Sequence, residues 1–330
     1  MKYRKFGNTD LQVSEIGFGA WAIGGNAMIG NQAIGWGKAD DTTSIEAINK
    51  SLSQGINFFD TADIYGLGHS EELLGNALKL NTDVVIATKV GNVNRDEKFT
   101  VDYSKEYILS ACEKSLKRLQ RDVIDYYQLH SARVAHLQAG ECIEAMEILK
   151  QQGKIKHWGL SLNTFDPAPE AELLMQSNKG EGFQLVFNLI NQKAITLMET
   201  AATNGYGIIA RMPLQFGLLT GKFSANTTFE KDDHRSSRLT KEIIVAANNL
   251  LTEKVWSLCK KYSINKTSLA LSFILSFPSV STVIPGIRTP QHATDNTTDI
   301  VQLEKEDINY LKNLYASDFK SLLALIEKQG

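Results

Sequence analysis

The chain contains no Cys-x-x-Cys pair, no His-x-His, no Gly-x-Gly-x-x-Gly and no long apolar run. Each absence removes a class of protein. The three cysteines, Cys112, Cys142 and Cys259, are too far apart for a metal-ligand spacing. Two of them fall in amphipathic helical stretches, so the expectation is buried or half-buried free thiols in a reducing, cytoplasmic compartment. The six histidines are scattered, which argues against a hydrolytic metal centre, and no metal is expected. Residues 269–277 form the most apolar run; serines interrupt it and it is too short to span a membrane. The N-terminus, Met1-Lys2-Tyr3-Arg4-Lys5-Phe6-Gly7, lacks the apolar core of a signal peptide. A formal net charge of −2 gives no general attraction to nucleic acid or to an anionic membrane. Gly17-Phe18-Gly19-Ala20 is followed by no third glycine opening a helix, which disfavours a Rossmann domain.

What the chain does contain is alternation. Short runs rich in β-branched and aromatic residues fall near 16–19, 57–59, 84–88, 124–129, 156–161, 184–187, 207–211 and 281–284. Helical patterns lie between them near 43–54, 70–80, 104–120, 140–152, 168–178, 193–204 and 240–262, with another from about 290. Thr43 with Glu46 fits a capping box, and Thr289-Pro290 reads as a cap followed by proline at the first helical position. Strict alternation implies parallel strands with right-handed crossovers, and eight such units favour a closed (β/α)8 TIM barrel. Residues 1–330 are therefore read as one α/β barrel domain, preceded by a β-hairpin around Gly7-Asn8-Thr9-Asp10. An extra C-terminal helix is expected within 303–328. Two long connections, 20–42 and 222–239, follow strands one and seven, so both belong to the rim where such barrels carry their sites.

Four ionisable residues sit at or just past strand ends: Asp60, Tyr65, Lys89 and His130. Singly, each has an ordinary reading: a cap, a rim aromatic, a solvated strand end, a satisfied core histidine. On three successive strand ends they converge. A phenol can give a proton to a developing alkoxide if a nearby ammonium lowers its pKa from the usual 10 or so. Lys89 is the expected tuning group, Asp60 its counter-ion, and His130 a donor that orients the carbonyl oxygen.

Phe59-Asp60-Thr61-Ala62-Asp63-Ile64-Tyr65-Gly66, then Ala87-Thr88-Lys89, then Gln128-Leu129-His130, resemble the aldo-keto reductase signatures in order and spacing. The similarity continues through Gly159-Leu160-Ser161-Leu162-Asn163, Gly217-Leu218-Leu219-Thr220-Gly221-Lys222 and Ile284-Pro285-Gly286. The resemblance implies a nicotinamide-dependent oxidoreductase with NADPH (NADP) as cofactor and NADH as the alternative. It also implies that Asp60, Tyr65, Lys89 and His130 are catalytic and that the partner is a small-molecule carbonyl substrate, not nucleic acid or membrane. On the cofactor side it implies that Ser161, Asn163 and Gln184 hold the carboxamide and that Trp21 walls the nicotinamide. Arg211 stands where many relatives have a stacking tyrosine; a guanidinium plane can also stack on the ring, and a cation there favours the reduced, uncharged form. Pro213, Leu214, Gly217, Leu218 and Lys222 match the pyrophosphate loop. Arg288, at a helix start, suits the 2′-phosphate, with His292 and Asn296 on the adenosine and Gly286 where the family also carries a lysine.

Two other classes are consistent with parts of this pattern. A nicotinamide-binding regulatory subunit similar to the potassium-channel β subunits would share the fold and cofactor. A Schiff-base lyase would use Lys89 alone.

Overall fold

The computed structural model describes residues 1–329 and shows eight parallel strands ringed by helices. The strands are β1 (Phe18–Gly19), β2 (Phe58–Asp60), β3 (Val85–Val90), β4 (Ile124–His130), β5 (Ile155–Ser161), β6 (Gly182–Val186), β7 (Gly207–Arg211) and β8 (Thr282–Ile284). They hydrogen-bond in chain order. Parallel bridges Ile16–Val283 and Gly19–Gly286 bring β1 against β8, so the sheet nearly closes. All eight strands read from the sequence are present, as is the N-terminal hairpin, Tyr3–Lys5 with Gln12–Ser14. The thiols of Cys112 and Cys142 are buried and that of Cys259 half-buried, all unpaired. No described helix is long and apolar enough to cross a membrane.

Several local expectations are corrected. The helix Asp41–Ser53 is capped by Asp40, not by Thr43 with Glu46. The Asp40 carboxylate takes the Thr43 N–H and hydroxyl, both at 2.8 Å, so the orphan amide is already satisfied one turn earlier. Thr289 does cap its helix, accepting from His292 N–H. The stretch 240–262 is two helices, Lys241–Lys254 and Ser257–Tyr262, and the tail likewise holds two, Lys305–Ala316 and Phe319–Glu327. Helix Lys266–Leu275 escaped the periodicity argument because nearly every residue in it is buried, so it has no polar face.

Strand parity decides what reaches the rim. Phe58, Val85, Ala87 and Tyr126 face the barrel interior beside Phe6 and Ile209. Phe59, Ile86 and Tyr127 face the surrounding helices. Steps of two residues along the inward face arrive at Asp60 on β2, Lys89 on β3, and Gln128 and His130 on β4. Thr88 has the opposite parity and bonds outward to Glu71 (2.5 Å), which pairs with Arg118.

The lower end of the barrel is plugged by Phe6 from the N-terminal hairpin, wholly buried and edge-on to Tyr126 at 4.9 Å. Gly182 and Gly207 leave room for it: a Cβ at either would lie 2.7 or 2.6 Å from the Phe6 ring. Phe6→Ala is expected to cost about 3–5 kcal/mol of unfolding free energy in a denaturant titration, with no group at the opposite rim altered.

Candidate active site

Lys89 is completely buried. Its ammonium donates to Asp60 Oδ1 (2.6 Å), the carbonyl of Thr61 (2.7 Å) and the Tyr65 hydroxyl (3.4 Å). Asp60 Oδ2 in turn accepts from the amides of Gln184 (2.7 Å) and Gln128 (3.1 Å). Both oxygens of this buried carboxylate are thus engaged, which is the condition for keeping a charge out of water.

Tyr65 is delivered by a tight turn in which Gly66 and Leu67 take left-handed φ values of 62° and 56°. Gly66 is needed there because a Cβ would meet the Gly24 Cα at 2.9 Å. The Tyr65 ring is held on three sides. Trp21 stacks on it at 5.7 Å and 18°, His130 meets it edge-on at 5.9 Å, and Lys89 Nζ lies 4.9 Å from its centroid. The Trp21 indole N–H is pinned to the carbonyl of Ile34 (2.8 Å).

Burial draws the Lys89 ammonium downward, but Asp60 and then Tyr65 outweigh it, so the group is held above its ordinary pKa. Burial, then Lys89 and Arg211, push His130 well below the usual histidine range, so its ring is neutral. The expectation of a lowered Tyr65 is overturned. Burial raises the phenol and Asp60 adds to this, against the opposing pull of Lys89. Burial is the largest influence and outweighs the ammonium, which lies 3.4 Å from the phenol and 2.6 Å from the Asp60 carboxylate. Tyr65 is a protonated acid in this state.

Above these groups opens a cavity of about 570 Å³, within the roughly 300–1,000 Å³ typical of ligand sites. Asp60, Tyr65 and His130 line it, together with Trp21, Ser161, Gln184 and Arg211. Further out the wall is made by Pro213, Leu214, Gly217, Lys222, Gly286, Arg288, His292 and Asn296. Three predicted residues lie elsewhere. Lys89 sits behind Tyr65, off the wall. Leu218 is fully buried in the apolar core beneath the loop. Asn163 is spent on a turn, its Oδ1 accepting from the N–H groups of Phe165 (2.9 Å) and Asp166 (3.1 Å). Gln184 touches the cavity, yet its amide N–H is committed to Asp60. Gln128, given no role by the sequence argument, completes the same network; its parity with Tyr126 and His130 was the available signal.

The wall suits a dinucleotide. Among the described residues it presents five cations (Arg211, Lys222, Arg235, Arg238, Arg288) against two carboxylates (Asp60, Asp295). Asn296 Nδ2, Arg211 Nε and His130 Nδ1 are buried and have no partner among the described residues, as expected of groups that meet a ligand. In the loop after β7, Met212, Gln215, Phe216 and Gly217 all have positive φ (54°, 44°, 57° and 95°). Asn188 holds this costly backbone in place, donating to the Met212 carbonyl and to Gln215 Oε1, both at 2.9 Å. Turns of this kind form anion-binding concavities. Gly286 has open space around its Cα, and Arg288 donates to the carbonyl of Trp36 (3.2 Å) with no carboxylate of the described residues in contact.

The model of the aldo/keto reductase family matches residues 15–316. The chain is 32% identical over 300 residues to the aldo-keto reductase YhdN of Bacillus subtilis, covering 88% of this chain and 86% of that one. Among solved structures it resembles the holo form of aldo-keto reductase AKR11C1 from Bacillus halodurans, with 28% identity, a TM-score of 0.78 and coverage of 95% and 96%. It is also similar to the glycerol dehydrogenase AKR11B4 from Gluconobacter oxydans, with 29% identity, a TM-score of 0.78 and 95% coverage of each chain. The chain belongs to the aldo/keto reductase family of nicotinamide-dependent oxidoreductases.

Proposed function

We propose that the protein reduces the carbonyl of an aldehyde or ketone to the alcohol with NADPH, NADH being the alternative donor, and that Tyr65 supplies the proton. The observation that carries this reading is the Tyr65 hydroxyl beside His130 at one cavity wall, with the buried Lys89–Asp60 pair behind it. The dihydronicotinamide, when bound, supplies the hydride that adds to the carbonyl carbon. The electron pair of the C=O bond moves to oxygen, which takes the Tyr65 proton. The phenolate left behind is stabilised by Lys89 Nζ, already at 3.4 Å. His130 orients the carbonyl oxygen by hydrogen bonding, and each well-placed donor of this kind is worth about 3 kcal/mol of barrier.

Arg211 extends from the end of β7, and its Nη2 is anchored to the Leu162 carbonyl (3.2 Å) and Thr164 Oγ1 (3.1 Å). A guanidinium fixed at the nicotinamide site repels the oxidised, cationic ring more than the reduced one, biasing the protein toward carbonyl reduction. Arg288 recognises the 2′-phosphate, with His292 and Asn296 at the adenosine.

The test is NADPH oxidation with a panel of aldehydes and ketones. Arg288→Ala is expected to weaken NADPH binding by roughly ten- to a hundredfold, the worth of a lost charge-assisted hydrogen bond. NADH binding should be unchanged. Equal losses for both cofactors would remove Arg288 from the 2′-phosphate.

A further inference from the structure

The two long rim loops are fastened to each other around His234. His234 donates its backbone N–H to the carbonyl of Gly35 (3.0 Å), and Asp233 beside it forms an antiparallel bridge to Trp36. The His234 ring lies 5.2 Å from that of Trp21 and 5.9 Å from that of Phe216. Arg238 donates from Nε to His234 Nε2 (3.2 Å). Arg238 has only donors, so Nε2 must carry a lone pair, which puts the single ring proton on Nδ1, facing the carbonyl of Ala33 (3.3 Å). Arg238 also reaches the carbonyl of Gln329 in the C-terminal tail (2.6 Å). One imidazole in one tautomer therefore links loop 20–42 to loop 222–239 at the cavity wall, and Arg238 carries the contact on to the tail.

We propose that His234 is a positioning residue: its neutral, Nδ1-protonated ring clasps these three segments and, by packing on Trp21, holds Tyr65 in place for proton transfer. The effect on turnover rests on the reductase reading; the clasp does not. The chain of contact is short, since Trp21 packs against His234 and also stacks on Tyr65. Protonation of His234 removes the acceptor for Arg238 and sets two cations together.

The groups facing the ring define the direction. Loop 222–239 presents Arg238 and Asp233, the latter chelated by Arg235 (2.6 Å). Loop 20–42 presents the Ala33 carbonyl and the Trp21 ring, and the segment after β7 presents Phe216. The tail acts only through Arg238. Burial first, then Arg238, hold the His234 pKa below its ordinary 6.5, against the weaker pulls of the Ala33 carbonyl and Asp233. A released loop returns the ring to that ordinary value, so the clasp is at full strength above about pH 6.5 and loosens as pH falls below it.

Hydrogen exchange of the intact protein, corrected for intrinsic rates, reads the clasp without any turnover. Segments 20–42 and 222–239 are expected to exchange together, roughly tenfold faster at about pH 5.5 than at about pH 8. His234→Phe keeps a ring against Trp21 but loses both side-chain hydrogen bonds and the titration, so both loops should exchange fast at either pH. In NADPH oxidation the same variant should lose the part of the acidic limb of kcat/KM that His234 contributes, which a merely structural role would not move. If both loops stay as protected as in the parent with the same pH response, the proposal is wrong. A second measurement needs no variant: long-range 15N–1H correlation on the unmodified protein should show the His234 proton on Nδ1, and finding it on Nε2 overturns the proposal. Protected, pH-sensitive loops in a protein that reduces no carbonyl would sustain the clasp and instead refute the reductase reading.

Discussion

Tyr65→Phe is expected to bind NADPH like the parent protein while losing roughly 10²–10⁴ of kcat, the range that a positioned proton donor supplies. The split follows from where the hydroxyl sits. The ring is packed by Trp21 and His130, contacts that phenylalanine keeps, and the hydroxyl's one partner among the described residues is Lys89 at 3.4 Å. Removing it leaves the Lys89 ammonium still bonded to Asp60 and Thr61, so no buried charge is orphaned and stability should change little. Binary NADPH titration beside steady-state kinetics makes the check. Comparable losses in binding and turnover would mean that the phenol holds the ligand and does not donate.

The second large effect is at Lys89. Lys89→Met strips the partner from a carboxylate buried among Gln128, Gln184 and the barrel wall. Breaking a buried pair in this way costs roughly 3–5 kcal/mol, which chemical denaturation would register as a lower midpoint. Turnover should fall at least as far as in Tyr65→Phe, because the phenolate formed on proton donation loses its counter-ion. Asp60→Asn combined with Lys89→Met separates the two consequences. With both charges removed, most of the stability is expected to return, while activity stays lost. Recovery of activity in the double variant would show that the pair is a structural brace and not part of the proton donor. The pH response has a definite sign. Because Lys89 is held above its ordinary 10.5, its contribution to stability is complete at neutral pH and is lost only as pH rises through that raised value.

The barrel and the convergence at its rim were legible because two periodicities agreed. Alternating strands and helices set the topology, and the two-residue step along each strand set which side chains look inward. Asp60, Lys89 and His130 share parity with Phe58, Val85 and Tyr126, so a reading of strand ends finds them without knowing the fold's curvature. What failed were features that depend on neighbours distant in sequence. The direction of the Tyr65 shift turned on how deeply the folded barrel buries the phenol, which outweighs the pull of Lys89. Asn163 looked available because a sequence does not show that the amides of Phe165 and Asp166 claim its side-chain oxygen. Leu218 carries its side chain into the apolar core beneath the loop. The buried helix Lys266–Leu275 had no amphipathic stripe to betray it. His234 lay in a polar rim loop, but its role was not legible, since its partners Ala33, Trp21 and Arg238 are assembled only when two loops meet.

The central claim is that hydride from the nicotinamide and a proton from Tyr65 meet at one carbonyl. NADPH carrying deuterium at the transferable C4 position, incubated with a reactive aldehyde and analysed by mass spectrometry of the alcohol, tests it directly. The account predicts one deuterium on the carbinol carbon with the parent protein and almost none over the same time with Tyr65→Phe. Alcohol formed without that deuterium, or formed equally fast by Tyr65→Phe, would contradict it.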